Sequence, residues 1–237
     1  MVVITILLGG GESSFARMTN AYPKLPTNPY QYYNQNMLSI VIQAGGESRR
    51  MGQDKALRPF LGQPLIQRVI NRLAPIATEL LVTTNNPDAY RFLNLPLASD
   101  PIPGRGALGG LYTALYAAHN PLVGVVACDM PFANPDLLRA ASDMLTQNPN
   151  LGAVIPRLEH GSEPFHSVYR RERCLPYVEE ALKNDRWRVD AWFPQVEIHF
   201  LTPVEIAIYD PDQLAFQNVN TPQEWEQAEA LASNTQA

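Results

Sequence analysis

Cysteine is scarce. Two in 237 residues are too few for a disulfide framework, and Cys128 and Cys174 show no metal-ligand spacing. That usage suits a reducing cytoplasm. Long apolar runs are missing too. None reaches the roughly 18 residues of a membrane helix, which argues against a membrane-spanning chain. Positive charge is not in excess: the net charge of −5 gives no global basic footprint for nucleic acid. An acidic chain that binds an anion must therefore concentrate its cations locally. No internal repeat is visible in residues 38–230. What remains is an ordinary globular composition, 46% hydrophobic and 17% charged, and a length that suits one α/β domain with a substantial core.

The first 36 residues stand apart. Residues 2–8 are apolar but short, and no basic stretch precedes them, which argues against a secretory signal. Residues 20–36 are rich in Asn, Pro, Tyr and Gln and read as unstructured. Residues 1–36 are thus expected to be a poorly ordered, dispensable extension of a single domain over 37–237, with Met37 just ahead of the first core strand.

Residues 40–55 organise the rest. An apolar run reads as a buried strand, then breaks at Gly45 and Gly46, collects Arg49 and Arg50, passes Gly52 and ends on Lys55. A strand that opens into a glycine loop exposes backbone N–H groups with no side chains in the way, a nest of donors suited to phosphate oxygens. Arg offers a two-pronged grip and Lys a point charge. The Walker A pattern fails because Ala56 follows the lysine, and the glycine spacing does not fit the dinucleotide fingerprint. Residues 44–57 instead resemble the A-G-G-x-S-x-R-M-G-x-D-K-A-L loop of nucleotidyltransferases, most closely the molybdenum cofactor guanylyltransferase (MobA-type) family. Gln43 departs from it, since the family usually has leucine there, and contacts at this point are expected through the backbone.

Further along, residues 65–73 carry apolar side chains at helical spacing, and residues 78–84 read as a second strand ending in Thr83, Thr84, Asn85 and Asn86. Ligands of parallel α/β sheets collect at strand carboxyl ends, so these four could read a base edge; a polar turn capped by Asn fits equally well. Asp100 precedes a run with four glycines in seven residues, Gly104, Gly106, Gly109 and Gly110, read as a loop before a helix over 112–119. It resembles the family's D-x-x-x-G-x-G-P-L-[AG]-G segment, which implies roles for Asp100 and Gly106 in the nucleotide pocket; Ala107 replaces the family's proline. Residues 122–128 are near-continuously apolar and read as a central parallel strand. Asp129 at its carboxyl edge is well placed for Mg²⁺, which takes oxygen ligands and accepts few from protein. The family's C-D-x-P pattern implies the same. Asn134, Pro135 and Asp136 form a helix start.

Residues 165–169 alternate as a strand, and His166 within it is read as a packing or hydrogen-bonding residue rather than a base. Residues 171–184 read as a helix and 196–201 as a strand. The resemblance implies an arginine near 186–188 that holds an anionic acceptor, with Arg186 and Arg188 as candidates; a solvated helix terminus is the competing view. Thr221, Pro222 and Glu224 form a capping box that leaves Asn218 and Asn220 unexplained, and these two are candidates for substrate contact.

Alternating strands and helices imply a Rossmann-like three-layer α/β sandwich with a mostly parallel central sheet. The resemblance, which covers nearly all of residues 38–230, implies transfer of GMP from GTP to molybdenum-molybdopterin, with Mg²⁺ as cofactor and pyrophosphate released. It also implies transient contact with molybdopterin-delivering proteins or molybdoenzymes. The expected assignments are the backbone of Gln43, Ala44, Gly45 and Gly46 to the nucleotide, Arg49 and Lys55 to phosphates, and Asp129 to the metal. Asp100, Thr83 and Asn85 are expected around base or ribose. Left open are a same-fold transferase using CTP or another small phosphate acceptor, and a non-catalytic GTP sensor.

Overall fold

The computed structural model describes residues 37–45, 54–102 and 104–234. The expected extension over 1–36 lies outside the described residues, as does most of the glycine loop. In chain order the elements are β1 (Leu38–Gln43), β2 (Pro59–Phe60), β3 (Gln63–Pro64), α1 (Leu65–Leu73), β4 (Glu79–Thr83), β5 (Leu97–Ala98) and α2 (Gly106–Ala117). Then come β6 (Leu122–Ala127), α3 (Pro135–Gln147), β7 (Leu151–Leu158), β8 (Gly161–Ser162), β9 (His166–Arg170) and α4 (Arg171–Lys183). The chain closes with β10 (Glu197–Leu201), α5 (Pro203–Ala207) and α6 (Pro222–Asn234).

The main sheet runs β10-β7-β9-β6-β1-β4-β5, with β8 hairpinned onto β7; β2 and β3 form a separate two-stranded ribbon. Neighbours on the main path pair in parallel except at β9, which is antiparallel to both β6 and β7. The carboxyl ends of β4, β1, β6 and β7 therefore share one edge of the sheet.

Each central strand feeds two cores, because successive side chains point to opposite faces. Ile40, Ile42, Leu122 and Val126 pack with α1 and α3 residues such as Val69, Leu73, Leu138 and Leu145. Val41, Val123 and Val125 pack on the other face with Leu108, Leu111, Leu115 and Val178 of α2 and α4. Burial on both faces is why β1 and β6 read as near-continuous apolar runs. Each fully buried Val or Leu is worth about 1.5–3 kcal/mol. A third cluster seats Trp225 and Ala228 of α6 on Phe60 and Leu65.

Two expectations change. Most of the glycine run is the start of α2 rather than a loop before it: Gly104 precedes the helix, Gly106 opens it at φ +56°, and Gly109 and Gly110 follow within it. Gly110 is tight against β1, since a Cβ on it would stand 3.1 Å from Gln43 Nε2. Strand β9 does not alternate between core and solvent. His166 to Tyr169 are all buried, because β9 lies inside the sheet. The five-residue α5 has no counterpart in the sequence reading; Thr202 and Glu205 form its capping box.

Candidate active site

At the carboxyl edge the main chain is laced across three strands. Cys128 N–H donates to the Gln43 carbonyl at 3.0 Å, and Ala44 N–H to the Thr83 carbonyl at 2.8 Å. These bonds carry β1 one residue past its last ladder position, to Ala44; the next residue, Gly45, is exposed and would meet nothing within 4 Å if given a Cβ. Gly46, Arg49 and Arg50 lie outside the described residues.

Lys55 stands on a 3-10 turn, Lys55–Leu57, that Asp54 holds at both carboxylate oxygens. Oδ1 accepts from Ala56 N–H at 3.1 Å and Oδ2 from the Tyr90 hydroxyl at 2.6 Å. Burial and this bond push the Tyr90 hydroxyl well above its ordinary pKa, so it stays a donor. Lys55 Nζ in turn donates to Asn220 Oδ1 at 2.6 Å, across 165 residues of chain. A neutral carbonyl orients the ammonium without cancelling its charge.

Asp129 sits two residues beyond β6 and is partly exposed. Burial raises its pKa above the ordinary carboxylate value, and the nearby charge of Lys55 works against that rise. Its carbonyl accepts from Val219 N–H at 3.0 Å, so the 217–220 segment touches both Asp129 and Lys55. Lys55, Asp129 and Asn220 thus lie close together. Gln217 Oε1 and Asn218 Oδ1 nearby are buried without a partner among the described residues.

The loop after Asp129 is braced from behind. Arg68 Nε donates to the Pro131 carbonyl and Arg72 Nε to the Ala133 carbonyl, each at 2.9 Å. Asn134 N–H donates to His166 Nε2 at 2.9 Å. Burial lowers the His166 pKa to about 4, so the ring is neutral and spent as an acceptor. The Cys128 thiol is pushed up by burial, then by Asp129 and Asp54, and stays protonated. The sequence reading missed Asp54, Tyr90, Arg68 and Arg72. The i, i+4 arginine pair on an otherwise apolar helix face was the available signal for the last two.

On the other side of β1, Asn85 and Asp100 grip each other. Asn85 Nδ2 donates to Asp100 Oδ2 at 2.9 Å, and Asp100 N–H to Asn85 Oδ1 at 3.0 Å. The Thr113 hydroxyl donates to Asp100 Oδ1 at 2.8 Å. Thr83 is buried at the end of β4. Arg186 and Arg188 stand elsewhere: Arg188 is forked onto Asp190 at 3.0 and 2.8 Å, and Arg186 reaches the Ala191 carbonyl at 3.4 Å. Among the described residues, no contact joins either arginine to Lys55, Asp129 or Asn220.

Asp129 fits only one style of metal site. No group of three His, Cys, Asp or Glu side chains converges among the described residues, which speaks against a protein-built cage. A single carboxylate without an ion-pair partner among the described residues suits a hard divalent cation that takes most of its oxygens from water and phosphate.

A family model described as the MobA-like NTP transferase domain matches residues 40–195. The chain belongs to the MobA-like NTP transferase family. Among relatives, a probable molybdenum cofactor guanylyltransferase of Carboxydothermus hydrogenoformans is 34% identical over 189 residues, covering 80% of this chain and 93% of that protein. A molybdenum cofactor guanylyltransferase of Desulfosudis oleivorans is 32% identical, with coverage of 80% and 93%. The crystal structure of the molybdopterin-guanine dinucleotide biosynthesis protein A of Archaeoglobus fulgidus superposes with a TM-score of 0.71 at 22% identity, over 83% of this chain and 99% of that one. A 4-diphosphocytidyl-2C-methyl-D-erythritol synthase of Anaerococcus prevotii has the same fold, with a TM-score of 0.60 at 13% identity, over 84% and 96%. MobA-like members therefore share a scaffold with a cytidylyl enzyme, and the base must be argued from the site. No helix among the described residues is long and apolar enough to cross a membrane.

Proposed function

We propose that the chain transfers GMP from GTP to the terminal phosphate of molybdopterin carrying molybdenum, forming the molybdopterin guanine dinucleotide cofactor and releasing pyrophosphate. Names of relatives at about a third identity support the substrates. The observation that supports the chemistry is that Lys55 and Asp129 lie close enough to interact and are both bonded to the 217–220 segment.

The acceptor phosphate is already an anion, so no strong base is needed, and the neutral His166 supplies none. The obstacle is bringing two anions together and stabilising charge on the departing pyrophosphate. Positioning and electrostatic neutralisation meet it. The backbone of residues 43–46 approaches the nucleotide. Lys55, oriented by Asn220, neutralises phosphate charge, and Arg49 is assigned to the phosphates as well. Asp129 is the residue that would hold Mg²⁺, and the ion would supply neutralisation of phosphate charge. Asn85 and Asp100, locked to each other, shape the nucleoside side with Thr83 and Gly106. Asn218 and Asn220 line the acceptor side. Arg186 and Arg188 remain candidates for a more distant part of the acceptor. The setting is cytoplasmic, where the reduced thiols and soluble substrates belong, with molybdopterin-delivering proteins or molybdoenzymes as transient contacts.

Pyrophosphate release across the four nucleoside triphosphates, with and without molybdopterin, tests this. Release should require GTP, Mg²⁺ and the acceptor together. Preference for CTP, or GTP binding with no release, would overturn it.

A further inference from the structure

Gln43 ends β1 with its side chain on the α2 face, the same parity as Val41. It is only 9% exposed. Its Nε2 is buried with no hydrogen-bond partner among the described residues. Room for the amide comes from Gly110, where a Cβ would stand 3.1 Å from Nε2 and 3.2 Å from Oε1. Burying an amide without partners costs about 1–3 kcal/mol, and a leucine of similar size would fill the space without that cost.

The surroundings point to what the amide serves. The Gln43 main chain is bonded to Cys128 on one side, and Ala44 to Thr83 on the other, so the residue lies in the middle of the carboxyl edge. Across the α2 face, both oxygens of Asp100 are already taken by Asn85 and Thr113. The Asn85 amide is likewise used at both ends. Those groups are set by each other and have little left for a ligand. Gln43 has its donor free. Its face of the sheet is the one opposite the Ala56 and Tyr90 side on which the Lys55 turn is built.

We propose that the Gln43 carboxamide reads the base: on nucleotide binding it turns from Gly110 and forms a paired hydrogen bond with the guanine edge, Nε2 donating to O6 and Oε1 accepting from N1–H. The match is one of chemistry, since a carboxamide presents a donor beside an acceptor and this edge presents an acceptor beside a donor. The assignment rests on the GTP reading above and gives that reading a base-selective group. Sites built around such a pair lose affinity sharply when it is removed, whereas apolar fillers discriminate weakly.

The test is Gln43→Leu, repeated with Gln43→Met, in the full chain. Calorimetry would compare binding of GTP, inosine triphosphate and inorganic tripolyphosphate, alongside melting without nucleotide and the kcat and KM for pyrophosphate release. GTP and inosine triphosphate, which share the O6 and N1–H edge, should both weaken about tenfold or more. Tripolyphosphate should bind unchanged, KM should rise with kcat nearly constant, and the ligand-free protein should melt higher. The proposal is overturned if GTP binds both variants within twofold of wild type, if tripolyphosphate weakens in step, or if weaker binding comes with a lower melting temperature. Wild-type protein that binds GTP but releases no pyrophosphate with molybdopterin would defeat the proposed function alone, because the binding comparison needs no acceptor.

Discussion

The two ends of the sheet treat their polar groups in opposite ways. At the amino end, Glu79 is saturated: it accepts from the Ser39 hydroxyl and from His119 N–H, and it meets the His119 ring. Asn120 N–H donates to the same Ser39 hydroxyl at 3.2 Å, and its amide to Thr78 at 3.0 Å. At the carboxyl end, among the described residues, Asp129 has no ion-pair partner, Lys55 is held by a neutral amide, and Gln43, Gln217 and Asn218 each bury an unpaired polar atom. The carboxylates show it most plainly. Burial works to raise the Glu79 pKa, but the bonds from His119 and Ser39 outweigh it and leave the group below its ordinary value. Burial raises the Asp129 pKa, and Lys55 only partly offsets it. One end pairs its polar groups within the chain; the other leaves several without a partner among the described residues.

The largest effect expected is at the carboxyl end. Asp129→Asn should lower pyrophosphate release by about a thousandfold, in the range seen when a key electrostatic group is removed. A raised folded pKa means that ionisation of Asp129 opposes folding at neutral pH, so this variant should also melt higher than wild type. Near-normal transfer in Mg²⁺ would remove Asp129 from the site. Lys55→Ala should cost about a hundredfold in kcat/KM, with GTP affinity and rate falling together; unchanged kinetics would contradict its phosphate role.

Smaller effects lie away from Lys55 and Asp129. Glu79→Gln should lower stability by about 1–2 kcal/mol, since it weakens the bonds to Ser39 and His119 while leaving kcat and KM alone. The depressed Glu79 pKa contributes stability above the ordinary value of 4.5, and that contribution is lost as pH falls through the lower folded value. Wild type should therefore lose its margin over this variant in acid. Urea midpoints at pH 7 and below pH 4 would measure it, and a margin that persisted in acid would contradict the bonding. Smallest of all, Arg188→Ala should change KM for GTP less than about twofold, because Asp190 already neutralises the guanidinium at the surface.

Much of this was readable in residue order. The apolar runs at 38–43 and 122–127, the Asn134 and Thr221 caps and the capping box at Glu224 all act within a few residues, so periodicity and local chemistry reveal them. The start of α2 was not readable, because Gly109 and Gly110 serve packing against Arg105 and Gln43, which local composition cannot distinguish from looseness. Nor was the bracing of Lys55 by Asp54, Tyr90 and Asn220, whose partners are 36 and 165 residues distant. Which polar groups would be left unpaired was also hidden, since that depends on every neighbour the fold supplies.

The measurement that bears most directly on a shared site is a double-mutant cycle of Lys55→Met and Asp129→Asn on GTP-dependent pyrophosphate release. Groups that act on one bound triphosphate should be strongly non-additive, with the double variant little worse than the poorer single one. Losses that simply multiply would mean that Lys55 and Asp129 work independently, and the account of a single site at the carboxyl edge would be wrong.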